Sequence, residues 1–152
     1  MAQVYLSVGS NIEPEHHIRA GLTDLREHYG PLKSSAVYES KAVGFVGDNF
    51  YNLAVGFETT EDAFTIVETL RTIEHSQGRK RQGKSLQART LDLDLLLYDD
   101  LIIKELSIPR EDILKYAFVL LPLAEIAPTA KHPLTGQSYA ELWELFDKTK
   151  QT

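Results

Sequence analysis

The apolar residues of this sequence recur with two different periods, and the order of these periods restricts the fold. Four stretches are apolar or alternate with polar residues, as strands do, and two repeat every three to four residues, as helices do. The strand-like stretches are residues 4–8, 33–40, 50–59 and 90–98, and the helical ones are residues 14–29 and 59–75. This order is typical of the ferredoxin-like fold. We therefore expect an α+β protein with an antiparallel βαββαβ sheet and helices packed on it.

Local signals place the ends of several helices. Pro14 suits the first turn of the first helix, and residues 59–62 resemble a capping box for the second. A C-terminal extension follows the last strand. It ends in a helix over residues 138–146, which Ser138 and Glu141 are spaced to cap.

The composition excludes several classes of function. The chain has 16 Lys and Arg against 22 Asp and Glu, a net charge of −6, whereas a general nucleic-acid binder needs a broad basic surface. There is no Cys, which excludes disulfides and thiol catalysis and fits a reducing cytoplasm. No apolar run reaches the roughly 18 residues of a membrane span, and no signal peptide is visible. We expect a single domain over residues 1–152 that is a cytoplasmic monomer without a nucleic-acid or membrane partner.

Two aspartates stand in the last predicted strand, in the order Leu-Asp-Leu-Asp-Leu over residues 91–95. Residues two apart on a strand point to the same side, so Asp92 and Asp94 should lie side by side while the leucines enter the core. Two carboxylates at this spacing repel each other unless a positive charge lies between them. Mg²⁺ binds such oxygens together with phosphates and water. The alternative is a strand with a solvated acidic face.

A basic segment lies immediately before this strand, at residues 78–89. It holds five cations and no acid: Arg79, Lys80, Arg81, Lys84 and Arg89. Arginine matches the geometry of a phosphate group, and arginines beside a magnesium site are typical of phosphoryl transfer. The alternative is a solvated loop whose cations offset the surrounding acids.

Two further features have a structural and a functional interpretation. Gly9-Ser10-Asn11 follows a strand and is expected to be a turn, whose backbone N–H groups could bind an anion. Asn52 alternates with Phe50, so an amide and a ring could hold a flat heterocycle, with Phe118 on its other side. In the alternative, the two phenylalanines are ordinary core residues.

Taken together, these stretches resemble the 6-hydroxymethyl-7,8-dihydropterin pyrophosphokinase family of folate biosynthesis. The matching stretches are 5–11 (YLSVGSN), 50–59 (FYNLAVGFET), Ile73-Glu74 with Gly78-Arg79 and Arg81, 89–94 (RTLDLD) and 122–128 (PLAEIAP). The RTLDLD stretch is the most specific of these.

The resemblance implies transfer of the pyrophosphoryl group of ATP to the hydroxymethyl oxygen of the pterin, with release of AMP. It implies that Asp92 and Asp94 hold two Mg²⁺ ions and, with Arg79 and Arg89, form the catalytic group. The residues assigned to ATP are Glu74, Arg81, Arg89, Ser107 and Arg110. The residues assigned to the pterin are Ser40, Val43, Phe50, Asn52 and Phe118.

The sequence also departs from the family pattern. Leu86-Gln87-Ala88 stand where the family has Trp-Gly-Pro, so the Trp that helps to cover the pterin is absent. Pro109-Arg110-Glu111 replace Pro-His-Tyr, and Tyr116 stands where an arginine is common. Arg110 and Lys115 could compensate for the lost charge, but not with the same geometry.

Three functions fit these observations. The first is an active, magnesium-dependent pterin pyrophosphokinase. The second is a diverged relative that transfers to another small alcohol, and the third is a non-catalytic binding module on the same fold. The retained aspartates and arginines favour the first.

Overall fold

The computed structural model describes residues 1–40, 49–77 and 90–148. Its first part consists of β1 (Ala2–Ser10), α1 (Pro14–Tyr29), β2 (Lys33–Ser34), β3 (Tyr38–Ser40), β4 (Phe50–Thr59), α2 (Ala63–Ser76) and β5 (Asp92–Tyr98). A 3₁₀ turn (Lys104–Leu106), α3 (Asp112–Lys115), α4 (Ala117–Ile126) and α5 (Tyr139–Leu145) follow.

The strands form one antiparallel sheet in the order β2-β4-β1-β5, and β3 also pairs with β4. If β2 and β3 are taken as one interrupted strand, this is the order of a ferredoxin-like sheet. The predicted fold is therefore confirmed. The predicted bounds of α1 and β4 are also those observed.

The two sides of the sheet are covered by different helices. On one side, α1 and α2 pack over alternate residues of the three long strands, such as Leu6, Val55 and Leu93. On the other side, α4 and α5 cover a second cluster that includes Ala54 and Leu96. The C-terminal extension therefore completes the fold by covering a face that would otherwise expose apolar residues.

The stretch 33–40, expected to be one strand, is interrupted because the side chain of Ser35 enters the ladder. The Ser35 N–H donates to the Ala54 carbonyl (2.9 Å), but the Ala54 N–H donates to Ser35 Oγ (2.9 Å) instead of to a backbone oxygen. A local side-chain acceptor has replaced a sheet hydrogen bond.

Two other predicted boundaries are wrong. Thr59 does not cap α2, since it ends β4 opposite Ala2; the cap is Asp62, which accepts from the Thr65 N–H (2.8 Å). Gly9 and Ser10 complete β1 rather than forming a turn, because β4 extends far enough to pair with both. The predicted capping box of α5 is confirmed.

Within the described residues, no helix has both the length and the apolar character that crossing a membrane requires.

We expect Leu70→Ala to lower the free energy of unfolding by about 2–5 kcal/mol, because it leaves a cavity between α2 and the sheet. Leu70 is 1% exposed, whereas Phe64 on the same helix is 50% exposed. Phe64→Ala is therefore the matched control, with an expected change below about 1 kcal/mol. Urea denaturation of both variants measures the difference, and equal losses would contradict this packing.

Candidate active site

The paired aspartates of β5 lie on the side of the sheet that faces α4. Leu91, Leu93 and Leu95 are buried on the opposite side, against α1 and α2. Asp92 and Asp94 are partly exposed and pair with Gly9 and Ser7 of β1. The predicted alternation is thus confirmed, with the two carboxylates side by side.

A row of residues across the sheet connects Asp92 to the predicted pterin residue Asn52. Gly9 pairs with Asp92 on one side and with Asn52 on the other. Two strand spacings separate the backbones of Asp92 and Asn52 by about 10 Å. A Cβ atom on Gly9 would lie 2.5 Å from Asn52 Oδ1, so the absence of a side chain at Gly9 makes room for this amide.

Asn52 is brought together with Ser40, another predicted pterin residue. Both are buried, and Asn52 Nδ2 donates to Ser40 Oγ at 3.5 Å. Ser40 pairs with Phe50 across β3 and β4. Phe118 lies in the first turn of α4, which packs against β3 and β4, and its ring stacks on Tyr116 at 5.0 Å between centroids.

Glu125 holds β3 to α4 and so helps to fix the strand that carries Ser40. Its carboxylate accepts from the Ala36 N–H (2.9 Å) and from the Tyr38 hydroxyl. The hydrogen bond from Tyr38, with burial as a smaller cause, raises the pKa of that hydroxyl. No sequence pattern assigns a role to Glu125 beyond its place in the matching stretch 122–128. The signal that marks it is a single acid in an otherwise apolar helix.

Glu74 is almost completely buried, at 1% exposure, although it is a carboxylate. Its Oε2 accepts from the Leu93 N–H at 2.7 Å, and its Oε1 lies 3.5 Å from Arg71 Nη1. Leu93 separates the two aspartates on β5, which is an edge strand of the sheet. Glu74 therefore satisfies a backbone donor that the sheet leaves unpaired and ties α2 to the middle of the aspartate pair.

Asp94 carries the strongest electrostatic perturbation at the site. The pKa of Asp94 is raised to about 7. Burial is the main cause of this rise, and the charge of Asp92 is the second. Arg110 acts in the opposite direction: its Nη2 lies 3.6 Å from Asp94 Oδ1, and its Nε lies 3.5 Å from Asp112 Oδ2. The negative charge on β5 is thus only partly balanced by the described side chains, and a bound cation would balance it further.

The described residues contain no cluster of three or more Asp, Glu, His or Cys placed to hold a metal. The aspartate pair alone supplies two carboxylates, and Mg²⁺ ordinarily completes its six positions with water and substrate phosphates. The donor set therefore fits a magnesium ion that is shared with a phosphorylated ligand.

Of the five remaining predicted site residues, the structure describes one. Ser107 is exposed and has a left-handed backbone, with φ 56°. Val43, Arg79, Arg81 and Arg89 lie outside the described residues. Sequence reasoning missed Asp112, the second partner of Arg110, because no periodic pattern marks its segment.

Comparison with known proteins decides the family. Residues 5–128 match the family described as 7,8-dihydro-6-hydroxymethylpterin-pyrophosphokinase. The chain belongs to this family. As a member of this family, the chain transfers a pyrophosphoryl group from ATP to 6-hydroxymethyl-7,8-dihydropterin in folate biosynthesis.

Curated relatives from bacteria agree with this assignment. The 2-amino-4-hydroxy-6-hydroxymethyldihydropteridine pyrophosphokinase of Aquifex aeolicus is 36% identical over 138 residues, which cover 88% of this chain and 86% of the relative. The protein of the same name from Haemophilus influenzae is 34% identical over 152 residues, which cover 96% of this chain and 94% of the relative.

Solved structures support the fold. The crystal structure of Plasmodium falciparum HPPK-DHPS wild type matches 95% of this chain with a TM-score of 0.71 at 14% identity. The chain spans 44% of the length of that protein, and its form with pteroate matches with a TM-score of 0.73.

We expect Glu74→Ala to lower the free energy of unfolding by about 2–4 kcal/mol, because it leaves the buried Leu93 N–H without an acceptor and opens a cavity. Glu74→Gln keeps a carbonyl oxygen at the same place and should lose less than half as much. Urea denaturation of the two variants measures this. A Gln variant as unstable as the Ala variant would show that the hydrogen bond to Leu93 is not what Glu74 contributes.

The raised pKa of Asp94 predicts a stability that depends on pH in metal-free buffer. The folded protein holds this proton up to about pH 7, while the unfolded chain releases it at about pH 4. The contribution of this proton to the free energy of unfolding is therefore full below about pH 4 and is lost as the pH rises to about 7. Asp94→Asn should exceed the wild type in stability at pH 8 by about 1–3 kcal/mol, and by less at pH 5.

Thermal and urea denaturation at both pH values in a chelator check this expectation. Asp100→Asn, at an exposed position just beyond β5, is the control. It should change the free energy of unfolding little, and by the same amount, at both pH values. A difference between Asp94→Asn and wild type that is the same at pH 5 and pH 8 would contradict it.

Proposed function

We propose that the chain performs this transfer with Mg²⁺ bound at Asp92 and Asp94 and with the pterin held at Asn52. The observation that carries the proposal is the row Asp92, Gly9, Asn52 across the sheet. In this row the backbones of the proposed metal ligand Asp92 and the proposed pterin ligand Asn52 lie about 10 Å apart, and the residue between them has no side chain.

The chemistry requires one bond to form and one to break. The hydroxymethyl oxygen of the pterin attacks the β-phosphorus of ATP, and the bond between that phosphorus and the oxygen of the α-phosphate breaks, which releases AMP. Two Mg²⁺ ions, when bound, neutralise charge on the phosphate oxygens. Asp92 and Asp94 would hold the ions, and Asp92 or water would accept the proton of the hydroxyl group.

The basic residues are proposed to hold the nucleotide. Arginine forks fit phosphate oxygens bidentately, which suits Arg79, Arg81 and Arg89 for the triphosphate. Arg110 is supported by its place beside Asp94. Glu74 and Ser107 are retained as nucleotide-site residues on the family resemblance, and the burial of Glu74 favours an indirect contribution through Leu93.

The pterin pocket is proposed to consist of the buried pair Asn52 and Ser40, with Phe50, Phe118 and Val43 around the ring. A buried amide offers both a donor and an acceptor to the polar edge of a pterin, while aromatic side chains contact its faces. The proximity of Asn52 and Ser40 supports this assignment. The monomeric state, the cytoplasmic location and the single domain over residues 1–152 stay predictions of the sequence.

The test is AMP formation from ATP, followed by chromatography, with and without the hydroxymethyl-dihydropterin. We expect AMP only when ATP, Mg²⁺ and the pterin are all present. Asp92→Asn should lower the rate on the order of 100-fold, because the metal loses a charged ligand. Asp100→Asn is the matched control and should keep the wild-type rate.

Other outcomes separate the alternatives. Transfer to a different small alcohol with little turnover of the pterin would favour the diverged relative. No heat on titration with Mg²⁺ and a non-hydrolysable ATP analogue would favour the non-catalytic module. An Asp92→Asn protein with full turnover would remove the metal site from the proposal.

A further inference from the structure

We propose that Arg110 is a built-in counter-ion of Asp94 that makes metal binding depend on nucleotide binding. The inference rests on the proposed magnesium site at Asp92 and Asp94. In the metal-free protein the guanidinium lies beside the Asp94 carboxylate and opposes an incoming cation. When a triphosphate is present, the guanidinium pairs with phosphate and leaves the Asp94 oxygen to the metal.

The position of Arg110 is fixed by its backbone and by two acids. The Arg110 N–H donates to the Leu96 carbonyl at 3.1 Å, which holds the residue against the strand that carries the aspartates. Its guanidinium lies between Asp94, at 3.6 Å, and Asp112, at 3.5 Å. The side chains of Arg110 and Asp94 are 34% and 21% exposed, so water screens this pair only in part.

The two ion pairs are charge contacts, and they are longer than an ideal charge-assisted hydrogen bond of about 2.8 Å. Among the described residues, the buried Nε of Arg110 makes no hydrogen bond, because its 3.5 Å contact with Asp112 Oδ2 is an ion pair without hydrogen-bond geometry. A guanidinium that is held by charge and lacks an acceptor for one donor can exchange partners at little loss. A phosphate group offers paired acceptors to the same fork and is the natural second partner.

The charges around Asp94 explain why a counter-ion beside it is favourable. Asp92, Glu74 and Asp112 all contribute negative potential at Asp94, and Arg110 contributes positive potential. Arg71 lies against Glu74 on the α2 side, at 3.5 Å. Without Arg110 the acids would repel one another; with Arg110 in place, a cation at Asp94 meets a like charge. Metal and guanidinium therefore compete for one carboxylate.

The consequence is a thermodynamic coupling between the two ligands. Phosphate draws Arg110 away from Asp94 and so strengthens metal binding, and by reciprocity the metal strengthens nucleotide binding by the same factor. The two-carboxylate donor set acts in the same direction, because phosphate oxygens complete the coordination of the ion. Arg110 adds a contribution to the coupling that can be removed separately.

The experiment measures binding and not turnover. Mn²⁺, detected by water proton relaxation, and Mg²⁺, by competition with it, are titrated into the protein with and without a saturating non-hydrolysable ATP analogue. For Arg110→Met, which keeps an unbranched apolar stem, we expect metal alone to bind about tenfold more tightly, since the competing charge is gone. The analogue alone should bind more weakly, and the coupling factor should fall.

Arg110→Lys is the matched control, because it keeps a positive charge beside Asp94. It should retain weak binding of metal alone and most of the coupling. Arg110→Gln repeats the test with a polar side chain, and thermal unfolding shows that each variant is folded.

A failure of the counter-ion role can be distinguished from a failure of the proposed function. An Arg110→Met protein with unchanged or weaker affinity for metal alone, or with an unchanged coupling factor, overturns the counter-ion role. A wild-type protein that binds no Mn²⁺ or Mg²⁺ even with the analogue overturns the magnesium site itself.

Discussion

The alternation of side chains along β5 is the constraint on which the rest of the site depends. Leu91, Leu93 and Leu95 enter the core beneath α1 and α2, and this forces Asp92 and Asp94 onto the other side of the sheet. A shift of one residue would bury both carboxylates and expose the leucines, so the burial of three leucines fixes the register. The core and the proposed metal site are therefore two sides of one strand.

The proposed chemistry is distributed over strands that are distant in sequence. The antiparallel order places β1 between β4 and β5, so that one residue of β1 faces Asn52 on one side and Asp92 on the other. That residue is Gly9, and the space above it receives the amide of Asn52. Glu74 and Glu125 then secure the two sides of the site, the first at β5 and the second at β3.

Much of the fold could be predicted because hydrophobic period is a local property. The periods of α1 and β4 gave their exact bounds, and the leucine alternation gave the orientation of the aspartates. The failures have local causes that period does not record. Ser35 replaces a backbone acceptor within the predicted strand 33–40, and Asp62 rather than Thr59 caps α2, because β4 continues through Thr59.

The sequence by itself determined the fold class, the family and the pairing of Asp92 with Asp94, since each depends on residues that are neighbours in the chain or recur with a simple period. Only the tertiary structure decided that Glu74 bonds to Leu93, that Gly9 makes room for Asn52, and that Arg110 lies between Asp94 and Asp112. These contacts join separate elements. Their geometry follows from how the sheet and its helices pack, and no local pattern contains that information.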